Sequence, residues 1–162
     1  GAAQHYRDCR ITPIYEGTNG IQALDLVGRK ILRDRGEELL KFIDEIRDTE
    51  IEDPKIADYM WSALDALSAA TDWILADPGD DPRIVLAGAT PYLRALGLVT
   101  GGWLMAKAAN IAGGSANDDG FYKAKVATAR FYAANLLPQV AGYARAATAG
   151  ADDIMALPAD AF

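Results

Sequence analysis

Apolar residues recur along this chain at intervals of three and four, and nowhere does a two-residue alternation persist long enough to suggest a strand. The clearest run is Ile56, Met60, Leu64, Leu67, Thr71 and Ile74, which predicts a long helix over residues 54–76. Asp53 followed by Pro54 marks its start, because a carboxylate can cap the first free N–H groups and proline is tolerated at the first helical position. Trp61 and Trp73 sit at the flanks of this run and read as packing residues. The stretch Asp77-Pro78-Gly79-Asp80-Asp81-Pro82 then breaks the helix.

The same pattern predicts the neighbouring elements. Residues 1–10 read as the last turns of a helix. Over 19–35, Ile21, Leu24, Leu26, Val27, Ile31 and Leu32 form an apolar face opposite Arg29, Lys30, Arg33 and Arg35, and Gly36 is the expected stop. A shorter amphipathic helix follows over 37–48, with Leu39, Leu40, Ile43 and Ile46 inward and Glu37, Glu38, Lys41, Asp44, Glu45 and Arg47 on a solvated face. A second long helix is expected over 82–112, kinked or broken near Thr90 because Pro91 lies within it. Ala95, Gly97, Gly101 and Gly102 give it a small-residue surface for a close helix neighbour.

After a loop at 113–120 the last long helix spans 121–149. Its core candidates are Phe121, Val126, Ala129, Phe131, Leu136, Leu137, Val140 and Tyr143, and Pro138 is expected to bend it. Lys123, Lys125, Arg130 and Arg145 are spread along it as solvated charges. The tail from Ala151 carries Ile154, Met155, Leu157 and Phe162, and reads either as a docking segment or as a loose end. Long helices joined by short Pro/Gly loops make neighbours antiparallel, so the expected fold class is all-α, an up-and-down antiparallel helical bundle.

Composition narrows the chemistry. The chain has 162 residues, 51% of them hydrophobic, and a formal charge of -7. That balance suits a globular domain and argues against a nucleic-acid partner, which needs a basic face. Cys9 is the one cysteine, so no intrachain disulfide can form, and its expected place is as a small buried hydrophobe. His5 is the one histidine, which excludes the paired Glu-x-x-His di-iron pattern and a His-rich zinc site; no metal site is expected. Gly113-Gly114-Ser115 lacks the Lys-Ser or Lys-Thr of a phosphate loop. No membrane span and no secretory leader are evident, which points to a cytoplasmic setting.

One stretch carries candidate chemistry: Ile11-Thr12-Pro13-Ile14-Tyr15-Glu16-Gly17-Thr18-Asn19-Gly20-Ile21-Gln22. Pro13 ends the upstream helix, Gly17 frees the backbone after a carboxylate, and Thr18 and Asn19 are good N-caps for the helix that follows. The product is a helix N-terminus with Glu16 beside it. On the residues alone this is equally a loop and cap with Glu16 in water.

The wider string Arg7-Asp8-x-Arg10-Ile11-x-x-Ile14-Tyr15-Glu16-Gly17-Thr18-Asn19-x-Ile21-Gln22 resembles the base-carrying segment of acyl-CoA dehydrogenases. The resemblance implies that Glu16 is the catalytic base removing the α-proton of an acyl-CoA thioester, with FAD as the cofactor. Gly17 and Tyr15 match positions at the substrate, and Thr18, Asn19 and Gly20 match positions at FAD. Gly20 stands where many relatives have a longer polar side chain, so it can offer only backbone. The continuation Ala23-Leu24-Asp25-Leu26-Val27-Gly28-Arg29-Lys30 is similar to a subgroup with an extra C-terminal helical domain.

The resemblance therefore implies two parts: residues 1–24 as the end of a flavin-binding helical domain, and 25–162 as an appended helical bundle. It further implies an acyl-CoA substrate, electron-transfer flavoprotein as acceptor, a homo-oligomer, and a C-terminal piece of a longer polypeptide that is inactive alone. The alternative for residues 20–162 is a non-catalytic helical dimerisation or interaction module.

Overall fold

The structure is a computed structural model, and it describes residues 2–12, 18–76, 81–114 and 120–161. Among them there is no strand, and the chain folds as an all-α helical bundle. The helices are α1 (Ala2–Cys9), α2 (Asn19–Asp25), α3 (Glu37–Arg47), α4 (Pro54–Leu75), α5 (Arg83–Leu86), α6 (Ala89–Gly113), α7 (Gly120–Asn135) and α8 (Gln139–Ala147). A π-helical turn (Leu26–Ile31) extends α2, and a short 3-10 turn (Ala159–Ala161) lies in the tail.

α6 is the axis, packed against α2, α4, α7 and α8. Its start lies beside the end of α4, where Tyr92 meets Thr71, and its end lies beside the segment entering α4, where Asn110 holds Glu50 and Glu52. α4 and α6 are therefore antiparallel. α7 and α8 run back along α6 in turn, with Tyr132 of α7 reaching the Leu98 carbonyl and the end of α8 at Gly88. The inward row of α4 is fully buried at Ile56, Met60, Leu64, Leu67, Thr71 and Ile74, as its periodicity requires. Burying each large aliphatic side chain is worth about 1.5–3 kcal/mol, far more than any surface ion pair here.

Small residues on α6 set the spacing. A Cβ on Gly101 would lie 2.3 Å from the Tyr132 hydroxyl, and one on Gly102 would lie 2.7 Å from a Leu137 methyl. At Gly88, just before α6, the approach is between backbones: a Cβ there would lie 1.9 Å from the Ala147 carbonyl oxygen. The predicted close-packing surface is thus real at Ala95, Gly101 and Gly102, whereas Gly97 faces open space.

Polar groups inside the bundle are paired. Thr71 spends its hydroxyl proton on the Leu67 carbonyl at 2.9 Å, so Tyr92 is the donor in the 2.7 Å bond between the two hydroxyls. The link between α3 and α4 is held by α6: Trp103 Nε1 donates to Thr49 Oγ1 at 2.8 Å, Asn110 Nδ2 donates to the Glu50 carbonyl at 2.7 Å, and Asn110 Oδ1 accepts from the Glu52 N–H at 3.1 Å. Phe42 of α3 meets Trp103 edge to face at 5.6 Å. Asp53 caps α4 as expected, accepting from Lys55 and Ile56 N–H groups, and also receives Arg130 Nε at 2.6 Å.

Several expectations are corrected. Pro91 occupies the first turn of α6, where its missing N–H costs nothing, so the break falls earlier, at Ala87–Gly88, and separates α5 from α6. Pro138 splits the last helix into α7 and α8. The helix foreseen over 19–35 is α-helical only to Asp25, because the Leu32 N–H bonds back to Val27 and the Gly36 N–H to Ile31, five residues away. Ile21, Leu24, Leu40, Phe121 and Phe131 are exposed rather than inward, and so is Cys9. Arg130 is ion-paired rather than simply solvated.

Two predictions follow from the packing. Gly88→Ala must push α8 away from the start of α6 and is expected to cost about 3 kcal/mol, whereas Gly97→Ala, on an open helical position, should stabilise by about 1 kcal/mol. Denaturant unfolding of both variants checks this; similar shifts for the two would contradict the packing. Tyr92→Phe should cost about 1 kcal/mol at neutral pH. Burial raises the Tyr92 hydroxyl from its usual value of 10.0 to about 12, with the Thr71 bond opposing slightly. The unfolded chain therefore loses that proton first, so this stabilisation is full below pH 10 and is lost as the pH rises towards 12. Melting temperatures measured across that window should fall more steeply for the wild type than for Tyr92→Phe.

Candidate functional site

Two threonines, Thr12 after α1 and Thr18 before α2, flank residues 13–17. Thr12 Oγ1 donates to the Cys9 carbonyl at 2.8 Å, closing the end of α1. Thr18 is the N-cap of α2, with extended backbone (φ -78°, ψ 153°) and Oγ1 accepting the Ile21 N–H at 3.3 Å. The Thr18 carbonyl accepts from the Gln22 N–H at 3.1 Å and so begins the helical ladder. Glu16, Gly17 and Tyr15 lie outside the described residues.

Thr18, Asn19 and Gly20 are therefore brought together as the exposed first turn of α2. The N–H groups of Asn19 and Gly20 precede the first intrahelical bond and have no partner within the helix. A Cβ on Gly20 would meet only Thr18 Oγ1, at 3.9 Å, an ordinary contact. Sterics do not demand glycine there, and its effect is to leave the backbone bare.

α2 is fixed to the bundle by one face. Ala23, Val27 and Ile31 are buried and follow one another at four-residue steps. Its other face is open, with Ile21 60% and Leu24 43% exposed, close in sequence to the equally open Ile11. A helix with apolar residues on both sides is ambiguous to periodicity: the expected face holds at Val27 and Ile31 and fails at Ile21 and Leu24.

What anchors the far end of α2 was not readable from pattern. The π-helical turn leads into Arg35 and Gly36, both left-handed (φ 57° and 78°), and a Cβ on Gly36 would lie 2.6 Å from Leu75 Cδ1. Asp34 stabilises this reversal by accepting the Gly36 N–H at 3.0 Å and the Glu38 N–H at 3.4 Å. The sequence signal was Asp34 two residues before a glycine, an Asx-type turn. Arg29 pairs with Asp25, while Lys30, Arg33 and Arg35 are exposed.

Elsewhere, a groove of about 660 Å³ lies between α4 and α7, lined by Pro54, Lys55, Asp58, Tyr59, Arg130, Phe131 and Ala134. Near it, burial pushes the Asp53 carboxyl up in pKa, but the bond from Arg130 and the N–H groups of Ile56 and Lys55 outweigh this and hold it below the usual carboxylate value. That makes Asp53 a permanent anion and cap, poorly suited to proton transfer near neutral pH. Among the described residues no group of three or more His, Cys, Asp or Glu side chains is placed to hold a metal ion, and no helix is long and apolar enough to cross a membrane.

Residues 40–158 match the family described as acetyl-CoA dehydrogenase C-terminal like. Among curated proteins, the chain is 43% identical over 147 residues to a 3-methylmercaptopropionyl-CoA dehydrogenase of Ruegeria pomeroyi, covering 85% of this chain and 25% of that protein. It is 34% identical over 172 residues to a butyryl-CoA dehydrogenase of Syntrophomonas wolfei, covering 99% of this chain and 28% of that protein. It is 30% identical over 177 residues to a broad-specificity linear acyl-CoA dehydrogenase of Mycobacterium tuberculosis, covering 98% and 29%. The chain thus spans between a quarter and a third of the length of these relatives. On the family match and on these identities, the chain belongs to the acyl-CoA dehydrogenase family.

Proposed function

We propose that this chain forms the C-terminal part of an FAD-dependent acyl-CoA dehydrogenase and carries its catalytic base. The observation that carries this reading is the string from Arg7 to Gln22, lying across the junction of α1 and α2 in a chain whose relatives are named as acyl-CoA dehydrogenases. In this reading residues 1–24 end the flavin-binding helical domain and residues 25–162 are the appended bundle.

Glu16 removes the α-proton of the acyl-CoA thioester. FAD, when bound, supplies the two-electron acceptor for the hydrogen leaving the β-carbon. Gly17 and Tyr15 contact the substrate, Gly17 through its backbone. Thr18, Asn19 and Gly20 contact FAD, and the first turn of α2 suits that role. The N–H groups of Asn19 and Gly20 are available to an acceptor, and Thr18 still has its hydroxyl proton to donate while its oxygen caps the helix. A base that must hold a proton at working pH benefits from a site closed to water, which raises a carboxyl pKa. The outward residues Ile11, Ile21 and Leu24 offer apolar surface for closing it.

The bundle's part is structural: it holds the far side of α2 through Ala23, Val27 and Ile31 and so fixes the helix that follows Glu16 in the sequence. Alone, the chain holds only one edge of a flavin site and is inactive. Electron-transfer flavoprotein as acceptor, a homo-oligomeric enzyme and a cytoplasmic setting complete the proposal. A second reading, a helical interaction module without chemistry, is favoured for residues 37–162 by Asp53, whose partly buried carboxylate serves capping and an ion pair. The two readings are compatible within one polypeptide.

The test is anaerobic bleaching of the flavin in the full-length enzyme with a panel of acyl-CoA thioesters. Glu16→Gln should keep its FAD and bleach at least about 1000-fold more slowly than the wild type. Equal rates would place the base elsewhere and end this reading.

A further inference from the structure

α6 carries almost no charge. Of its 25 residues only Arg94 and Lys107 are charged, and both lean on aromatic rings. The Arg94 guanidinium carbon stands 5.8 Å from the Tyr143 ring centre, and Lys107 Nζ stands 4.3 Å from that of Trp103. A helix that is apolar on every side is one that is covered on every side. α6 nevertheless has an open seam. Thr90, Gly97, Leu104 and Ile111 are all exposed and follow one another at seven-residue steps, Leu104 at 52% and Ile111 at 74%. A Cβ built on Gly97 would meet nothing within 4 Å.

The outward row of α4 has the same spacing and the opposite chemistry, for Asp58, Asp65 and Asp72 are exposed there. Water accounts for that row. It does not account for Leu104 and Ile111 on the helix around which the rest of the bundle packs. A seven-residue apolar repeat is the spacing at which a second helix runs alongside the first. From Thr90 to Ile111 the seam is about 32 Å long, room for a partner helix of about 20 residues.

The seam is reachable. Gly101 faces Tyr132 of α7, and Trp103 bonds to Thr49 ahead of α4. Leu104 lies about 60° around the axis from Gly101 and about 100° from Trp103, so the seam opens between these two sides. The tail does not fill it, since Ile154, Met155 and Leu157 are themselves exposed. The relatives hold far more polypeptide than the matched part, which makes up 25–29% of their length. α1, which leads into the fold, has no buried residue, and Ile11 and Ile21 are open after it.

We propose that a helix from the polypeptide preceding residue 1 lies along α6 in the same molecule, on Thr90, Gly97, Leu104 and Ile111. Its contacting face is apolar and repeats every seven residues, to match the seam. Joined to the bundle through one chain, such a helix has an effective concentration on the order of millimolar, so a modest contact area holds it in place. The proposal rests on the reading above only in requiring a longer polypeptide; it does not need Glu16 to be the base.

The experiment is thiol alkylation of the full-length protein, read site by site by peptide mass spectrometry. Leu104→Cys and Ile111→Cys are compared with Asp72→Cys on the outward row of α4. Alkylation at the two seam positions is expected to be at least tenfold slower than at position 72, and equal rates would overturn the proposal. A photo-crosslinking side chain at position 111, in a mixture of isotopically light and heavy protein, then identifies the occupant. Light–light and heavy–heavy cross-links into the part preceding residue 1 are expected. Mixed light–heavy products would make the occupant a second copy, and the absence of any cross-link into that part would equally end the proposal. Equal alkylation rates in an enzyme whose flavin bleaching depends on Glu16 would sink this inference and leave the dehydrogenase reading standing.

Discussion

The bundle depends on how closely other backbones can come to α6. Gly88 admits the carbonyl of Ala147 where any side chain would overlap it, and Gly101 and Gly102 admit Tyr132 and Leu137. These three positions place α7 and α8 at short range along one side of α6, and Ala95, Ala106 and Ala109 extend the same small-residue surface inward. With α6 surrounded this tightly, its buried Tyr92 and Trp103 must find partners, and they do, in Thr71 and Thr49; the more exposed Asn110 adds bonds to the backbone entering α4. Unpaired, the buried hydroxyl of Tyr92 or N–H of Trp103 would cost about 1–3 kcal/mol. Packing and hydrogen bonding are thus one constraint, and both specify the antiparallel order of α4, α6 and α7–α8.

The same constraint reaches α2. Ala23, Val27 and Ile31 lie against the bundle, and the π-helical turn with Asp34 and Gly36 ties the end of α2 to the start of α3 and to Leu75 of α4. α2 thus has a rigid scaffold behind it and an exposed N-terminus at Thr18, Asn19 and Gly20. α2 is apolar on two sides: Ala23, Val27 and Ile31 lie against the bundle, and Ile21 and Leu24 are exposed.

Much of the fold was legible because long amphipathic helices report their own faces. The α4 row was readable residue by residue, and Asp53-Pro54 marked its start. Legibility failed where one-dimensional pattern has no access to the partner. Phe121 and Phe131 are large and apolar, yet they face outward, because the inward face of α7 is chosen by Ala129 and Ala133, small enough to approach α6. Pro91 was recognised as a breaker, but its place in the first turn moved the break to Gly88, whose need was set by Ala147 almost sixty residues later. The clamp by Trp103 and Asn110 gave no local signal, since it joins groups 54 and 60 residues apart. In the candidate site, the caps at Thr18 and the stop at Gly36 were readable from local chemistry, whereas the π-helical turn was not, because it inserts a residue without altering composition.

The central claim is that α2 is held by the bundle as part of the same cooperative unit as α6. Native-state hydrogen exchange on the full-length protein tests it most directly. The amides of Val27 and Ile31 are predicted to exchange with the same free energy and the same denaturant dependence as those of Val99 and Ala106 in α6. If Val27 and Ile31 instead exchange through a small local opening while α6 stays protected, α2 is not anchored by the bundle and the account is contradicted.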